Sequence, residues 1–461
     1  MTISLATRVI SRVLFPLHEQ LKGHGSVARR RALERSQWWS RDGLHKHRIE
    51  RLRQFLIEIN ERVPYYRRLF GESDFSPDSL SDLTDLARIP LLDKQLIRAK
   101  VDDLKADRAG PLKRYNTGGS SGEPLVFFMG KDRISHDVAA KWRATRWWGV
   151  DIGDPEVVVW GSPIEVGAQD RLRALRDRLF RTTLLPAFEM SPSRLDQFIA
   201  QIRSVRPRML FGYPSALAHI ARHAGRTGQR LDDLGVSVVF VTSEMLYADQ
   251  RSEIARAFAC PVANGYGARD AGFIAHECPS GGMHISAEDI VVEIVDAHGT
   301  PVRSGDVGEI VVTHLATGDF PFVRYRTGDL AALDDRGCPC GRSLPLLKDI
   351  QGRTTDFIVA RDGTVMHALA LIYVVRDLPG VEQFRIVQHD LDRTEVQLVP
   401  AAGFSPENEG KIVKDFKSRL GSSVTIEVRK VERISPEKSG KYRYVESRVR
   451  APDQQPGLVQ A

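Results

Sequence analysis

The chain has 461 residues and a mass of 51.6 kDa, with 42% hydrophobic and 27% charged residues, the composition of a globular protein of two or three domains. Four cysteines exclude a disulfide-stapled scaffold, and no apolar run approaches the roughly 18 residues of a membrane span. Lys and Arg number 66 against 59 Asp and Glu, a formal charge of +7, yet residues 1–53 hold twelve basic and four acidic side chains and carry +8 alone. The rest of the chain sums to −1, so the basic character belongs to the lead segment. The basic face of a dedicated nucleic-acid binder is not expected.

Residues 3–17 read as a basic amphipathic helix, uninterrupted until Pro16. Its apolar runs are too short for the centre of a secretory signal. The first expectation is a helix packed on the protein's own body, with Arg29-Arg30-Arg31 solvated. Peripheral contact with an anionic membrane is the second, and an organelle transit peptide the third. Helical periodicity continues through 28–70, with Ile49, Leu52, Phe55, Leu56 and Ile59 at spacings of three and four.

From about residue 115, strands alternate with helices. Segments 156–160, 208–212, 236–241 and 262–266 read as strands; 191–204, 215–224 and 248–258 read as helices. That alternation predicts a parallel sheet. Residues 288–334 read as an antiparallel region with strands at 290–295, 309–314 and 330–333. After Gly352-Arg353 the pattern is β-β-α-β-β-α-β, with the last helix near 407–420 and the last strand near 425–431. The expected fold class is α/β. A large N-terminal domain (1–352) holds parallel α/β sheets plus an antiparallel β region, and a small α+β domain (353–461) follows. No internal repeat is visible.

The chemistry concentrates in five motifs. Tyr115-Asn-Thr-Gly-Gly-Ser-Ser-Gly-Glu-Pro-Leu-Val-Phe127 packs three glycines and three hydroxyls (Thr117, Ser120, Ser121) into six positions. Glycines let successive backbone N–H groups turn toward one point, an anion nest suited to phosphate. No Lys-Ser/Thr follows the last glycine, so it is not a Walker A loop. Such a loop by itself is more often a plain turn. Four further motifs accompany it: Asn264-Gly-Tyr-Gly-Ala-Arg-Asp270, Tyr325-Arg-Thr-Gly-Asp-Leu330, Gly352-Arg-Thr-Thr-Asp-Phe-Ile358 and Ser435-Pro-Glu-Lys-Ser-Gly-Lys441.

Together, in this order and at these distances, the five resemble the adenylate-forming superfamily, specifically its phenylacetate–CoA ligase-like branch. The resemblance covers about residues 28–450. Ser36-Gln-Trp-Trp-Ser40, Pro64-Tyr-Tyr66 and the Cys-Pro-Cys-Gly turn resemble the branch's capsular-polysaccharide-associated members.

The resemblance implies ATP-dependent activation of a small-molecule carboxylic acid to an adenylate, release of pyrophosphate, and thioester formation with coenzyme A. Thr117, Gly118, Gly119, Ser120, Ser121 and Gly122 would wrap the β- and γ-phosphates. Tyr266 and Gly267 would meet adenine, and Ser243 and Glu244 would line its pocket. Asp329 would hold the ribose hydroxyls, a role for an acceptor-only side chain. Arg353 would join the nucleotide site, and Lys441 would reach the α-phosphate as charge grows. Trp160 and Tyr213 are expected to wall the acid pocket, because α/β sheets bind ligands at strand ends.

Asp270 stands where relatives carry a Mg²⁺-binding Glu; one methylene shorter, it would hold the metal through water. Arg269 replaces a Ser or Thr, and Thr355 replaces the hinge Asp. Cys278, His284, Cys338 and Cys340 form a separate constellation suited to structural Zn²⁺, with His276 as an alternative ligand and Cys260 outside the set. Two rival readings pass the acyl group to a glycan or protein acceptor, or leave a degenerate nucleotide-binding assembly factor for polysaccharide production. A cytoplasmic location, with the peripheral membrane contact as its variant, is expected. The sequence does not give the oligomeric state.

Overall fold

The computed structural model describes residues 4–73, 75–116, 125–160, 170–187, 190, 192–353, 357–362, 365–367, 369–376, 378–435 and 444–449. The chain divides into two compact units, Met1–Gln351 and Gly352–Ala461.

In the first unit a hairpin, β1 (Lys113–Asn116) and β2 (Val126–Met129), stands apart from an eleven-stranded sheet. The sheet's strands are β3 (Glu156–Val159), β4 (Thr182–Leu185), β5 (Met209–Gly212), β6 (Val238–Thr242), β7 (Val262–Ala268), β8 (Gly272–Glu277), β9 (Met283–Ile285), β10 (Ile290–Val295), β11 (Gly308–His314), β12 (Phe322–Asp334) and β13 (Leu346–Arg353). Their order is β10-β11-β12-β13-β9-β8-β7-β6-β5-β3-β4. Strands β4, β3, β5, β6 and β7 run parallel, and β7 to β8 and β8 to β9 are antiparallel.

The parallel and antiparallel regions are thus one sheet. Strands β5 and β6 are buried at every position, as continuous apolar runs covered on both faces must be. Apolar side chains of helices Pro192–Val205, Pro214–Arg226 and Ala248–Phe258 fill one face around Leu195, Phe198, Ile199, Leu217, Ile220, Ile254 and Phe258. The antiparallel half packs on helix Arg41–Arg62 through Leu52, Phe55, Leu56 and Ile59, and Ser40 caps that helix by accepting the Gly43 N–H at 3.1 Å.

Four expectations need correction. The opening helix does not stop at Pro16. It runs as α-helix Leu5–Val9, a π turn Ile10–Leu14 and α-helix Phe15–Leu21; Pro16 falls in the first turn of the last piece, where a missing N–H is tolerated. Arg29 and Arg30 are not merely solvated: Arg29 pairs with Asp289 at 3.1 Å, and Arg30 pairs with Glu34 and lies over the Trp142 ring. Strand β12 is far longer than residues 330–333, because it pairs with β11 along most of its length. In the second unit 425–431 does not hold the last strand.

That second unit contains hairpin β14 (Phe357–Val359) and β15 (Val365–His367), then β16 (Val381–Gln388), β17 (Arg393–Pro400), β18 (Thr425–Lys430) and β19 (Val445–Ser447). The sheet order is β18-β17-β16-β19, with β19 parallel to β16. Helices Leu369–Arg376 and Pro406–Leu420 cover it through Leu371, Val375, Ile412 and Phe416.

Candidate active site and metal centre

The order of the parallel strands reverses at β3. From β3 the chain steps outward to β4, then returns to place β5 on the other side. Crevices outside the carboxyl ends at such a switch point are where open α/β sheets bind ligands. Trp160 directly follows β3, and Tyr213 directly follows β5. Their rings stack with centroids 4.4 Å apart and planes 28° from parallel. Tyr213 also caps helix Pro214–Arg226, whose Pro214 fixes the turn. Burial first, and the Glu244 carboxylate second, hold the Tyr213 phenol well above its ordinary range.

The next two strands supply the neighbouring groups. Thr242 of β6 pairs in register with Gly265 of β7, so Ser243-Glu244 leave the end of β6 beside Tyr266-Gly267, which are still within β7. Ser243 adopts φ +72°, an uncommon conformation for a non-glycine residue. The Glu244 carboxylate accepts the Ser215 N–H at 3.2 Å, at the positive end of helix Pro214–Arg226. A register shift between Tyr266 and Gly267 breaks the ladder at this point and re-aims the Tyr266 side chain. A Cβ on Gly267 would lie 2.3 Å from the Gly272 carbonyl oxygen, so only glycine fits.

Two contacts tie distant motifs together. Tyr266 donates its hydroxyl to Asp329 at 2.8 Å, joining β7 to β12. Tyr325 donates to Asp270 Oδ2 at 2.6 Å, and the Ala271 N–H donates to Oδ1 at 3.1 Å. Both Asp270 oxygens are therefore engaged in a buried site, each retaining a lone pair. Arg269 donates to the Asn116 carbonyl at 3.4 Å, so the end of β1 lies beside the Arg269-Asp270 turn. Thr117, Gly118, Gly119, Ser120, Ser121, Gly122, Thr355 and Lys441 lie outside the described residues. Arg353 ends β13, and its side chain is outside them too.

Motif reading missed Tyr325 as a partner of Asp270. It also missed Arg133 on helix Lys131–Trp147. This buried guanidinium donates to the carbonyls of Asp270 (3.2 Å) and Arg269 (3.3 Å) while bound to Asp137. An inward-facing Arg among apolar helix positions was the available signal.

The cysteine constellation comes together. Ligand atoms of Cys278, His284, Cys338 and Cys340 all lie within 4.8 Å of one another. Cys278 Sγ is 3.5 Å from Cys338 Sγ, and His284 Nε2 is 3.2 Å from Cys340 Sγ. Those are edge lengths of a tetrahedron with metal–sulfur bonds of about 2.3 Å. His284 Nδ1 faces the Leu344 carbonyl at 3.3 Å, which orients the ring with Nε2 toward the thiols. Burial lowers the His284 pKa to about 4, so the imidazole stays neutral, as a ligand must. The alternative ligand, His276, is not in this group; it stacks on Phe273 instead. Cys260 lies in the helical core.

Residues 180–317 match the family described as AMP-binding enzyme, and residues 358–448 match the CapK C-terminal domain. Protein CapK of Staphylococcus aureus is 25% identical over 406 residues, 86% of this chain and 87% of the relative. A phenylacetate-coenzyme A ligase of Thermus thermophilus is 26% identical over 388 residues, 81% of this chain and 85% of its own. In fold, the chain resembles 2-hydroxyisobutyryl-CoA ligase in its postadenylation state, with a TM-score of 0.71 and 22% identity over 87% of this chain and 89% of that one. These matches support an adenylate-forming protein similar to the phenylacetate–CoA ligases and to CapK.

Proposed function

We propose that the protein activates a carboxylic acid with ATP, releases pyrophosphate, and transfers the acyl or aryl group to coenzyme A. The observation that carries this reading is the Tyr266–Asp329 hydrogen bond, made from a strand two places along the sheet from β5, whose end holds the stacked Trp160–Tyr213 pair. It joins the two groups that would meet adenine and ribose, and the stacked pair would wall the acid's pocket.

Adenylation demands that attacker and leaving group be held in line while phosphate charge is neutralised. Thr117–Gly122 would supply backbone donors to the β- and γ-phosphates. Asp329 accepts from the ribose hydroxyls, Ser243 borders the base, and Glu244 fixes the pocket floor by capping the Tyr213 helix. Lys441 stabilises charge at the α-phosphate. Mg²⁺, when bound, neutralises phosphate charge; Asp270, drawn back by Tyr325, suits contact through water. Rotation about Thr355 would exchange the Lys441 face of the second unit for one that admits the thiol. Zn²⁺ held by Cys278, His284, Cys338 and Cys340 would be structural, tying the β8–β9 turn to the segment before β13. A cytoplasmic setting supplies ATP and coenzyme A.

A role in polysaccharide production, with the acid drawn from that chemistry, rests on the motifs that resemble the branch's capsular-polysaccharide-associated members. The test is pyrophosphate release over a panel of aryl, fatty and hydroxy acids, with and without coenzyme A. Acid-dependent release followed by a CoA thioester is expected. Release without thioester formation points to a glycan or protein acceptor. No release with any acid, in protein that still binds ATP, leaves the assembly-factor reading.

A further inference from the structure

The helix that opens the chain is apolar on two sides. Its inner side is buried: the Thr7 hydroxyl donates to Asp154 at 2.8 Å, and Ile10 and Phe15 pack with Trp142 and Phe180. The outer side of such a helix is ordinarily polar. Here Leu5, Val9, Val13, Leu17 and Leu21 are 78, 43, 57, 51 and 80% exposed. They recur every fourth residue. In an α-helix of about 3.6 residues per turn such a row winds around the axis. The π turn Ile10–Leu14 sits in the middle of the row. Its i→i+5 bonds widen the turn, so a four-residue step there falls short and reverses the drift. The row stays on the outward side.

Helix Asp170–Leu179 extends this face with Leu175 and Leu179, 66 and 50% exposed. The two helices meet where Phe180 contacts Phe15 and His18, with ring centroids 5.6 and 5.2 Å apart. Among the described residues, the charge here is of one sign. Arg8, Arg12, Lys22 and Arg178 are exposed around the apolar row. Burial first, and Arg176 among the neighbouring charges, lower the pKa of both His18 and Lys22. The acidic groups are engaged elsewhere: Glu19 is buried against Ser26 and His24, and Asp177 is held by Arg176.

We infer that this two-helix face docks on an anionic lipid bilayer, its apolar row entering the headgroup boundary and its arginines meeting lipid phosphates. A second copy of the chain fits less well, because a two-fold contact sets a cationic face against itself. The inference stands apart from the ligase reading, since it uses none of that site's residues.

The test is co-sedimentation of the full-length protein with vesicles of phosphatidylcholine, with and without phosphatidylglycerol. Binding only to the anionic vesicles, weakened by salt, is expected. Val13→Asp combined with Leu17→Asp should abolish it with unchanged thermal unfolding, since both positions face solvent. Arg8→Gln with Arg12→Gln should weaken it about 25- to 30-fold, at about fivefold per basic side chain. Absence of binding to either vesicle overturns the inference, as does undiminished binding by both variant pairs. A concentration-dependent dimer that the aspartate pair dissolves would also overturn it, and would make the face a self-association surface.

Discussion

Tyr325 offers a way to separate positioning from packing. It is fully buried, and its hydroxyl is 2.6 Å from Oδ2 of an Asp270 that is also buried. Tyr325→Phe keeps the ring and its contact with Phe322 but removes the only side-chain donor to that oxygen among the described residues. A hydrogen bond to a charged group contributes about 1.5–3 kcal/mol. In a unit this large, each kcal/mol moves the melting temperature by about 2–4 °C at most. The melting temperature should therefore fall by at most about 3 to 12 °C.

If the hydroxyl also fixes where Asp270 meets hydrated Mg²⁺, the same energy slows adenylation by about 10- to 150-fold. The Mg²⁺ concentration for half-maximal pyrophosphate release should rise as well. Pyrophosphate release titrated with Mg²⁺, at a temperature where the variant is fully folded, measures both. A lowered melting temperature with unchanged rate and unchanged Mg²⁺ dependence would refute the reasoning and leave Tyr325 a packing residue.

Lys441→Ala should cost about 10²- to 10³-fold in adenylation, about 3 to 4 kcal/mol, with folding unchanged; near-normal pyrophosphate release would remove it from the mechanism. Purified protein should carry about one Zn²⁺ per chain, and Cys340→Ser should lower both metal content and melting temperature; metal-free protein with four freely titrating thiols would end the zinc proposal. Thr355→Pro fixes φ near −65° and removes a backbone donor, so it should slow pyrophosphate release or thioester formation but not both. Equal loss of both steps in folded protein would count against alternation of the second unit.

The elements most legible in the sequence were those with a complete local pattern. Helix Ala248–Phe258 appears with its expected bounds, because its apolar face repeats over three turns and Ala259, at φ +49°, ends it. Strands β5 and β6 were visible as unbroken apolar runs. Strand β4 was not: Thr182-Thr-Leu-Leu185 is a short edge segment, and its pairing with β3 is set by chain crossover alone. Strands β8 and β9 lie in a stretch rich in Gly, Ser and Pro, where turn residues outweigh strand formers.

The site divides the same way. The grouping of Cys278, His284, Cys338 and Cys340 was legible because Cys and His are scarce in this chain and fall there in two short-spaced pairs. The bonds Tyr266–Asp329 and Tyr325–Asp270 span 63 and 55 residues, and no periodicity reports which of two distant strands will neighbour a third. Merger of the parallel and antiparallel regions into one sheet creates both contacts.

The π turn at Ile10–Leu14 gives the segment an unusual tolerance in length. A π turn holds one residue more than the α turn it replaces. Deleting one of those five positions would let the helix close up as continuous α, with hydrogen bonding intact. Because the wider turn had absorbed the extra residue, the α-helical halves before and after it would keep nearly the same facing. Thr7 could remain on Asp154 while Phe15 remained against Phe180. A loss of three nucleotides within this turn is therefore one the fold can absorb.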